Sequence, residues 1–418
     1  MLSAPLVHGA YQGEPSFEPG ALLVMDFVQG RYRRGPGRGR VASDPAGVSG
    51  WQSVGHAGFG RTRVNGAYPP FAPDAPLIGD GGLLIPEART NLSPQRSPFE
   101  IYPAGLTDDG RSVVNGLASP DGMNTVSRLS DLSTTSNKSL TIASSATVVP
   151  GQAYVAIFGI AKATGPTDAA GHSRPTLLRV NRSGSISQRL FNAFTGSGEV
   201  GLTVRDMGTW WRVTMPFTPG AGETWANMAV WPAHDPSVTN TGYCDVWFGN
   251  ILAAPDINDP PILQTTGLPA TRTAVAQSVG GLVLPPAIEV RSRFRINAEP
   301  GAGTFRRVFS INNGGTSNAA DVYINGTRNI RLFARSAATT VVDGGPASQL
   351  EIGRYYDLVA RYQADAFSLS LDGVPVFSAT SGGMPVGLNR IQFGNNAEFL
   401  SARTLNGEIA NLSIREAA

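Results

Sequence analysis

Apolar and polar residues alternate through this chain in short stretches, and the stretches stop at glycine, proline, asparagine or aspartate. Nowhere does an apolar stripe of helical period run long, and there is no heptad pattern. Period-two alternation is the mark of strands with one buried face, because successive side chains point to opposite sides of a sheet. Ile288–Ile296 (IEVRSRFRI) puts Ile288, Val290, Ser292, Phe294 and Ile296 on one face and four charged residues on the other. In Ala366–Ser378 (AFSLSLDGVPVFS), Asp372-Gly373 separates two such runs. That pair is a hairpin signal, since both turn positions need positive φ. The 50 glycines and 31 prolines among 418 residues interrupt helices and punctuate strands. The chain is therefore expected to be all-β.

Bulk properties narrow the function classes. A net charge of +2 gives no whole-molecule field for nucleic acid. The cations are nearly all arginine, with lysine only at Lys138 and Lys162, a bias that GC-rich coding would produce. The single cysteine, Cys244, excludes an intramolecular disulfide and a thiolate metal cluster. No run of about 20 apolar residues could span a membrane, and the N-terminus lacks the basic and apolar regions of a signal peptide. A hydrophobic fraction of 41% argues against disorder.

Three regions are expected. Residues 1–90 read as an irregular leader rich in Gly, Pro and Arg, with candidate strands at Ala21–Val28 and Gly81–Ile85. Its segment Arg31–Arg40 (RYRRGPGRGR) carries five arginines and no acid, and reads as a solvated loop or a basic docking arm. Residues 91–275 show strand-like runs at Ser139–Val149, Ala153–Ala161, Leu177–Val180, Glu199–Val204 and Trp210–Phe217. Residues 276–418 form a further β unit. The expected architecture is a leader followed by two antiparallel β-sandwich, jelly-roll domains.

Several phrases carry a resemblance. Glu87–Leu92 (EARTNL) opens the middle region. Thr265, Thr266, Gly267, Thr271 and Arg272 close it, with Leu263-Gln264 in place of a Tyr-Ile or Ile-Pro pair. Between them stand Ser119–Arg128 (SPDGMNTVSR), Met207–Phe217 (MGTWWRVTMPF) and Val246–Leu252 (VWFGNIL). Together these resemble a carbohydrate-binding-module-like β-sandwich found in bacteriophage virion proteins. The Asp372-Gly373 hairpin and the closing Leu405–Ile414 segment resemble the laminin-G/concanavalin-like sandwich. The resemblance implies a tail fibre, head spike or head decoration, usually a trimer. It also implies assembly in the bacterial cytoplasm, a leader docked on other virion proteins, and host-surface polysaccharide as the partner.

Catalytic chemistry is poorly represented. His8, His56, His172 and His234 have no metal-ligand spacing, G-x-S-x-G is absent, and Gly35–Gly39 lacks the lysine and helix of a phosphate cradle. Asp108, Asp109, Asp245, Glu289, Asp357 and Glu398 supply acids for a depolymerase, but sequence cannot pair them. Asp108-Asp109-Gly110 is a possible calcium turn; no cofactor is expected.

Five of the six tryptophans fall between Trp210 and Trp247. A strand through Thr224–Pro232 would turn Trp225, Asn227, Ala229 and Trp231 outward and bury Ala226, Met228 and Val230. In the same way Tyr243, Asp245 and Trp247 are expected to face out, opposite Cys244, Val246 and Phe248, while Trp211 is expected in the core. Flat rings beside amides and carboxylates suit sugars: rings take C–H faces and polar groups take hydroxyls. The candidate glycan residues are thus Trp225, Asn227, Trp231, Tyr243, Asp245 and Trp247. Adhesion is the first expected function, a purely structural capsid or tail role the second, and depolymerisation the third.

Overall fold

The computed structural model describes residues 21–29, 31–34, 42, 44–49, 51–54, 75–86, 89–93, 101–102, 106–165, 175–232, 234, 241–253, 270–272, 276–301, 303–398, 400 and 403–417. The chain is all-β, and its antiparallel sheets pair into two sandwiches. Among the described residues no helix is long and apolar enough to cross a membrane.

The first sandwich lies within the middle region. One layer has four strands, in the order Leu140–Thr147, Trp225–Trp231, Pro175–Arg182 and Ile186–Asn192. The other has nine and is centred on Trp210–Phe217, Tyr154–Ala161, Gly242–Ala253 and Val126–Asp131. Leu140, Ile142, Leu178, Val180, Met228 and Val230 from the first layer pack on residues such as Phe158, Val213, Met215 and Val246 from the second. Alternation dictates these faces: each strand contributes every second residue to one core.

The two phrases that bracket this sandwich in sequence meet in space. Arg89–Asn91 pairs antiparallel with Ala270–Arg272, Thr90 opposite Thr271. Asn91 is fully buried. Its Oδ1 accepts from the backbone N–H of Ile251 at 3.1 Å and of Ser93 at 3.2 Å, tying the opening strand to the sheet. Glu87, Ala88, Thr265, Thr266 and Gly267 lie outside the described residues.

The second sandwich corrects the expectation of an irregular leader. One of its sheets runs Arg31–Arg34, Ala21–Asp26, Gly407–Glu416, Ile288–Ile296, Tyr356–Tyr362, Phe367–Leu371 and Val374–Ala379. Gly82–Ile85 also pairs with Gly407–Glu416. The facing sheet ends on Trp51–Val54, which pairs with Ala276–Val279. Residues on both sides of the middle region therefore build one core, in which Leu23, Met25, Phe27, Tyr32, Leu83 and Ile85 pack with Phe294, Phe393, Leu412 and Ile414. The leader reads as irregular because its strands are short and separated by glycine-rich sequence, while their partners lie hundreds of residues away. Arg31–Arg34 is likewise an edge strand with Tyr32 and Arg33 buried, and not a solvated arm. Arg38 and Arg40 lie outside the described residues.

Local expectations in this sandwich hold in detail. Ile288, Val290, Phe294 and Ile296 are buried in its core. Asp372 and Gly373 sit at φ 51° and 79°, and Leu371 faces Val374 across the turn they make.

Candidate functional site

The outward face of the four-stranded sheet carries three of the six candidates together. On Trp225–Trp231 the sequence period holds: Ala226, Met228 and Val230 enter the core, and Trp225, Asn227, Ala229 and Trp231 point away from it. Trp225 is 38% exposed, and Trp231 is half-buried. Six positions of strand separate the two indoles by about 20 Å, at ~3.3 Å per residue.

The neighbouring strand Pro175–Arg182 completes the face. Asn181 lies opposite Asn227 in the ladder, and its Nδ2 donates to Asn227 Oδ1 at 2.7 Å. Asn181 Oδ1 and Asn227 Nδ2, one acceptor and one donor, have no further protein partner among the described residues. Arg179 lies opposite Ala229 on one side and Gln188 on the other. Its guanidinium carbon stands 4.9 Å from the centroid of Trp231, a cation–π contact that holds the indole in place. The face thus offers two rings, two amides and a cation. It was only partly visible in the sequence: the tryptophans stand out by type, whereas Arg179 and Asn181 gain meaning only from strand pairing across 46 positions.

Tyr243 and Asp245 occupy a different surface. They lie on Gly242–Ala253, in the nine-stranded layer, and point away from the shared core on the opposite side of the sandwich. Both are engaged by Arg128. Its Nε and a terminal nitrogen each donate to the Asp245 carboxylate at 2.8 Å, and its guanidinium stacks 3.8 Å from the Tyr243 centroid. The Asp245 hydrogen bond raises the Arg128 pKa, fixing the charged pair.

Trp247 departs from its expected exposure and is fully buried. Its burial comes from a second apolar cluster on the outer side of the nine-stranded layer, next to a β-bulge. Ile160 pairs with Val246 and Gly159 with Phe248, so Trp247 is an extra residue in the strand. Trp247 stays on the side of Tyr243 and Asp245, but a bulge shifts the parity of everything beyond it, so Phe248, expected in the core with Cys244 and Val246, turns to that outer side as well. Trp247 and Phe248 form that cluster with Trp210, Val155, Ile157 and Leu252. The Trp247 ring stands edge-on to Trp210 at 5.1 Å and to Phe248 at 5.2 Å. Trp211, expected in the core, packs against its margin with Nε1 donating to Ala193 O at 2.8 Å and Lys162 over its ring.

The remaining chemistry is tied down. Asp109 of the candidate calcium turn accepts from Lys138 at 2.9 Å, which lowers its pKa, and the side chain of Asp108 lies outside the described residues. Among the described residues no group of three or more His, Cys, Asp and Glu could hold a metal ion. His8, His56 and His172 lie outside the described residues. Glu289, 1% exposed, accepts from Arg291 at 2.7 Å, Arg361 at 2.6 Å and Arg415 at 2.8 Å. Burial pushes its carboxyl up, but hydrogen bonds from the three guanidinium groups outweigh burial and hold it below its ordinary value.

No family model and no curated protein matches the chain. Solved structures with similar sandwich folds include the NanB sialidase of Streptococcus pneumoniae, at 14% identity and TM-score 0.27, covering 32% of this chain and 23% of that one. The carbohydrate-binding module CBM66 of Bacillus subtilis aligns at 10% identity and TM-score 0.23, covering 34% and 79%. Mouse laminin α1 domains LG4-5 align at 12% identity and TM-score 0.26, covering 75% and 92%. The chain spans about a quarter of the length of the sialidase it matches.

Proposed function

We propose that the open face of the four-stranded sheet holds a glycan by non-covalent adhesion. The observation that carries this reading is the placement of Trp225 and Trp231 on either side of the Asn181–Asn227 amide pair, on a face left open to solvent. Indoles suit the C–H faces of sugar rings, and the free amide donor and acceptor suit adjacent hydroxyls. The spacing of the indoles suits an oligosaccharide better than a single ring. By contrast, the other large aromatic group outside the main core, around Trp210 and Trp247, is already buried.

The setting we propose is a bacteriophage virion, assembled in the host cytoplasm, with this protein as a fibre, spike or head-decorating component that meets host-surface polysaccharide. The sequence phrases around Asn91 and Arg272 support it. Contacts with other virion proteins would fall to the second sandwich, which contains the N-terminal strands. A trimer would multiply weak sites into useful avidity. Adhesion is favoured over depolymerisation because candidate acids are engaged by cations: Asp245 by Arg128, Asp109 by Lys138, and Glu289 by three arginines.

The test is retention of the purified protein on immobilised host-surface polysaccharide, comparing wild type with Trp225→Ala and Trp231→Ala. Each ring lost from a stacking platform costs about 0.5–1.5 kcal/mol beyond its buried area, so retention roughly two- to tenfold weaker is expected for each variant. Unchanged retention would sink the reading. Normal retention with failure to enter particles would make the same face an assembly interface.

A further inference from the structure

We infer that the saccharide held on this face is acidic, its carboxylate received by Arg179; the inference rests on the glycan reading above. The sheet surrounds Arg179 with no negative charge. Gln188 and Ala229 lie beside it across the ladders, Leu177 and Asn181 lie two positions away along its own strand, and Trp231 and Asn227 lie diagonally. None can neutralise it. Among the described residues Arg179 makes no ion pair, and its Nε is buried without a hydrogen-bond partner.

Many of the protein's strand arginines are instead paired with an acid, although Arg335 and Arg390, like Arg179, make no ion pair among the described residues. Arg128 meets Asp245, Arg307 meets Asp321 at 2.9 Å, Arg331 meets Asp343 at 2.8 Å, and Arg295 meets Glu408 at 2.6 Å. Three positions on, at the end of the same strand, Arg182 reaches Glu223 at 3.3 Å. An unpaired guanidinium with a desolvated nitrogen is costly unless an acceptor arrives from outside. Its planar donors match a carboxylate, and its stack on Trp231 fixes them beside the surface on which a sugar ring would rest. A neutral glycan could use the indoles and amides but would leave Arg179 unanswered. An acidic one completes the face.

The experiment uses the full-length protein and a panel of bacterial capsular polysaccharides, each immobilised in native form and with its carboxylates chemically reduced to alcohols. Retention on native members should exceed retention on their reduced forms by about tenfold, the scale of one charge-assisted hydrogen bond. Arg179→Gln should remove that difference, lowering retention on native members by about tenfold more than on reduced ones, whereas Arg179→Lys should keep part of it. The preference should shrink as salt is raised. Equal retention of native and reduced forms, or equal weakening of both by Arg179→Gln, would overturn the acidic assignment while leaving the glycan reading intact. Failure to retain any member, or indifference to Trp231→Ala, would instead overturn the glycan reading itself.

Discussion

Met25 lies directly opposite Leu412 in an antiparallel ladder, so the two ends of the described chain share one sheet and one core. The second sandwich is therefore a discontinuous unit, completed only when strands from 21–85 dock against strands from 276–417. Full burial of a large apolar side chain stabilises by about 1.5–3 kcal/mol. Leu23, Met25, Phe27, Tyr32, Leu83 and Ile85 together thus contribute on the order of a whole domain's net stability of ~5–15 kcal/mol.

Removal of residues 1–90 should accordingly unfold the second sandwich rather than simply detach an anchor. The milder variant Met25→Ala should cost about 2–5 kcal/mol. Thermal unfolding followed by near-ultraviolet circular dichroism reads both. A truncated protein that retains the cooperative transition of the second sandwich would refute this account of its core.

Gly159 lies opposite Phe248, beside the bulge at Trp247. A Cβ at this position would come within 2.4 Å of the Phe248 ring, although the glycine's backbone conformation is open to other residues. Gly159→Ala should therefore displace Phe248 and disturb its packing with Trp210 and Trp247, at a cost of about 1–3 kcal/mol. Tryptophan fluorescence should shift to the red as the cluster admits water. A variant with wild-type melting temperature and emission would show that the ring does not need the missing side chain.

Glu289 gives the second sandwich an acid-sensitive element. Because its folded pKa is lowered, its ionised form contributes stability above the ordinary value of 4.5. That contribution is lost as pH falls from there through the lower folded value. Glu289→Gln should destabilise the unit by about 2–3 kcal/mol at neutral pH, below the ~3–5 kcal/mol of a fully buried ion pair, because Arg291 and Arg361 are partly open to solvent. Denaturant melts from pH 7 to pH 3 should show a steeper loss for wild type than for the variant. Parallel curves would contradict the assignment.

How far the fold was legible depended on whether the signal was local. Ile288–Ile296 and the Asp372-Gly373 turn could be read from alternation and turn chemistry, since each is determined within a dozen residues. The outward placement of Trp225, Asn227 and Trp231 followed from the same period. Phe248 escaped it because one inserted residue reverses the parity of a strand, nothing in VWFGNIL marks the insertion, and the cluster that Phe248 then joins buries Trp247. Met25 and Trp51 escaped it because their partners, Leu412 and Val279, are distant in sequence. Arg179 was invisible as a site residue for the same reason: what distinguishes it is a ring and a missing acid on neighbouring strands.

The most direct test of the central claim is oxidative footprinting of the wild-type protein with N-bromosuccinimide, read residue by residue by mass spectrometry, with and without host-surface polysaccharide. Without polysaccharide, Trp225 and Trp231 should be labelled while the buried Trp210 and Trp247 remain untouched. With it, labelling of Trp225 and Trp231 should fall severalfold and that of Trp211, at the margin of the core, should not change. Retained polysaccharide with Trp225 and Trp231 labelled at their original rates would contradict the account.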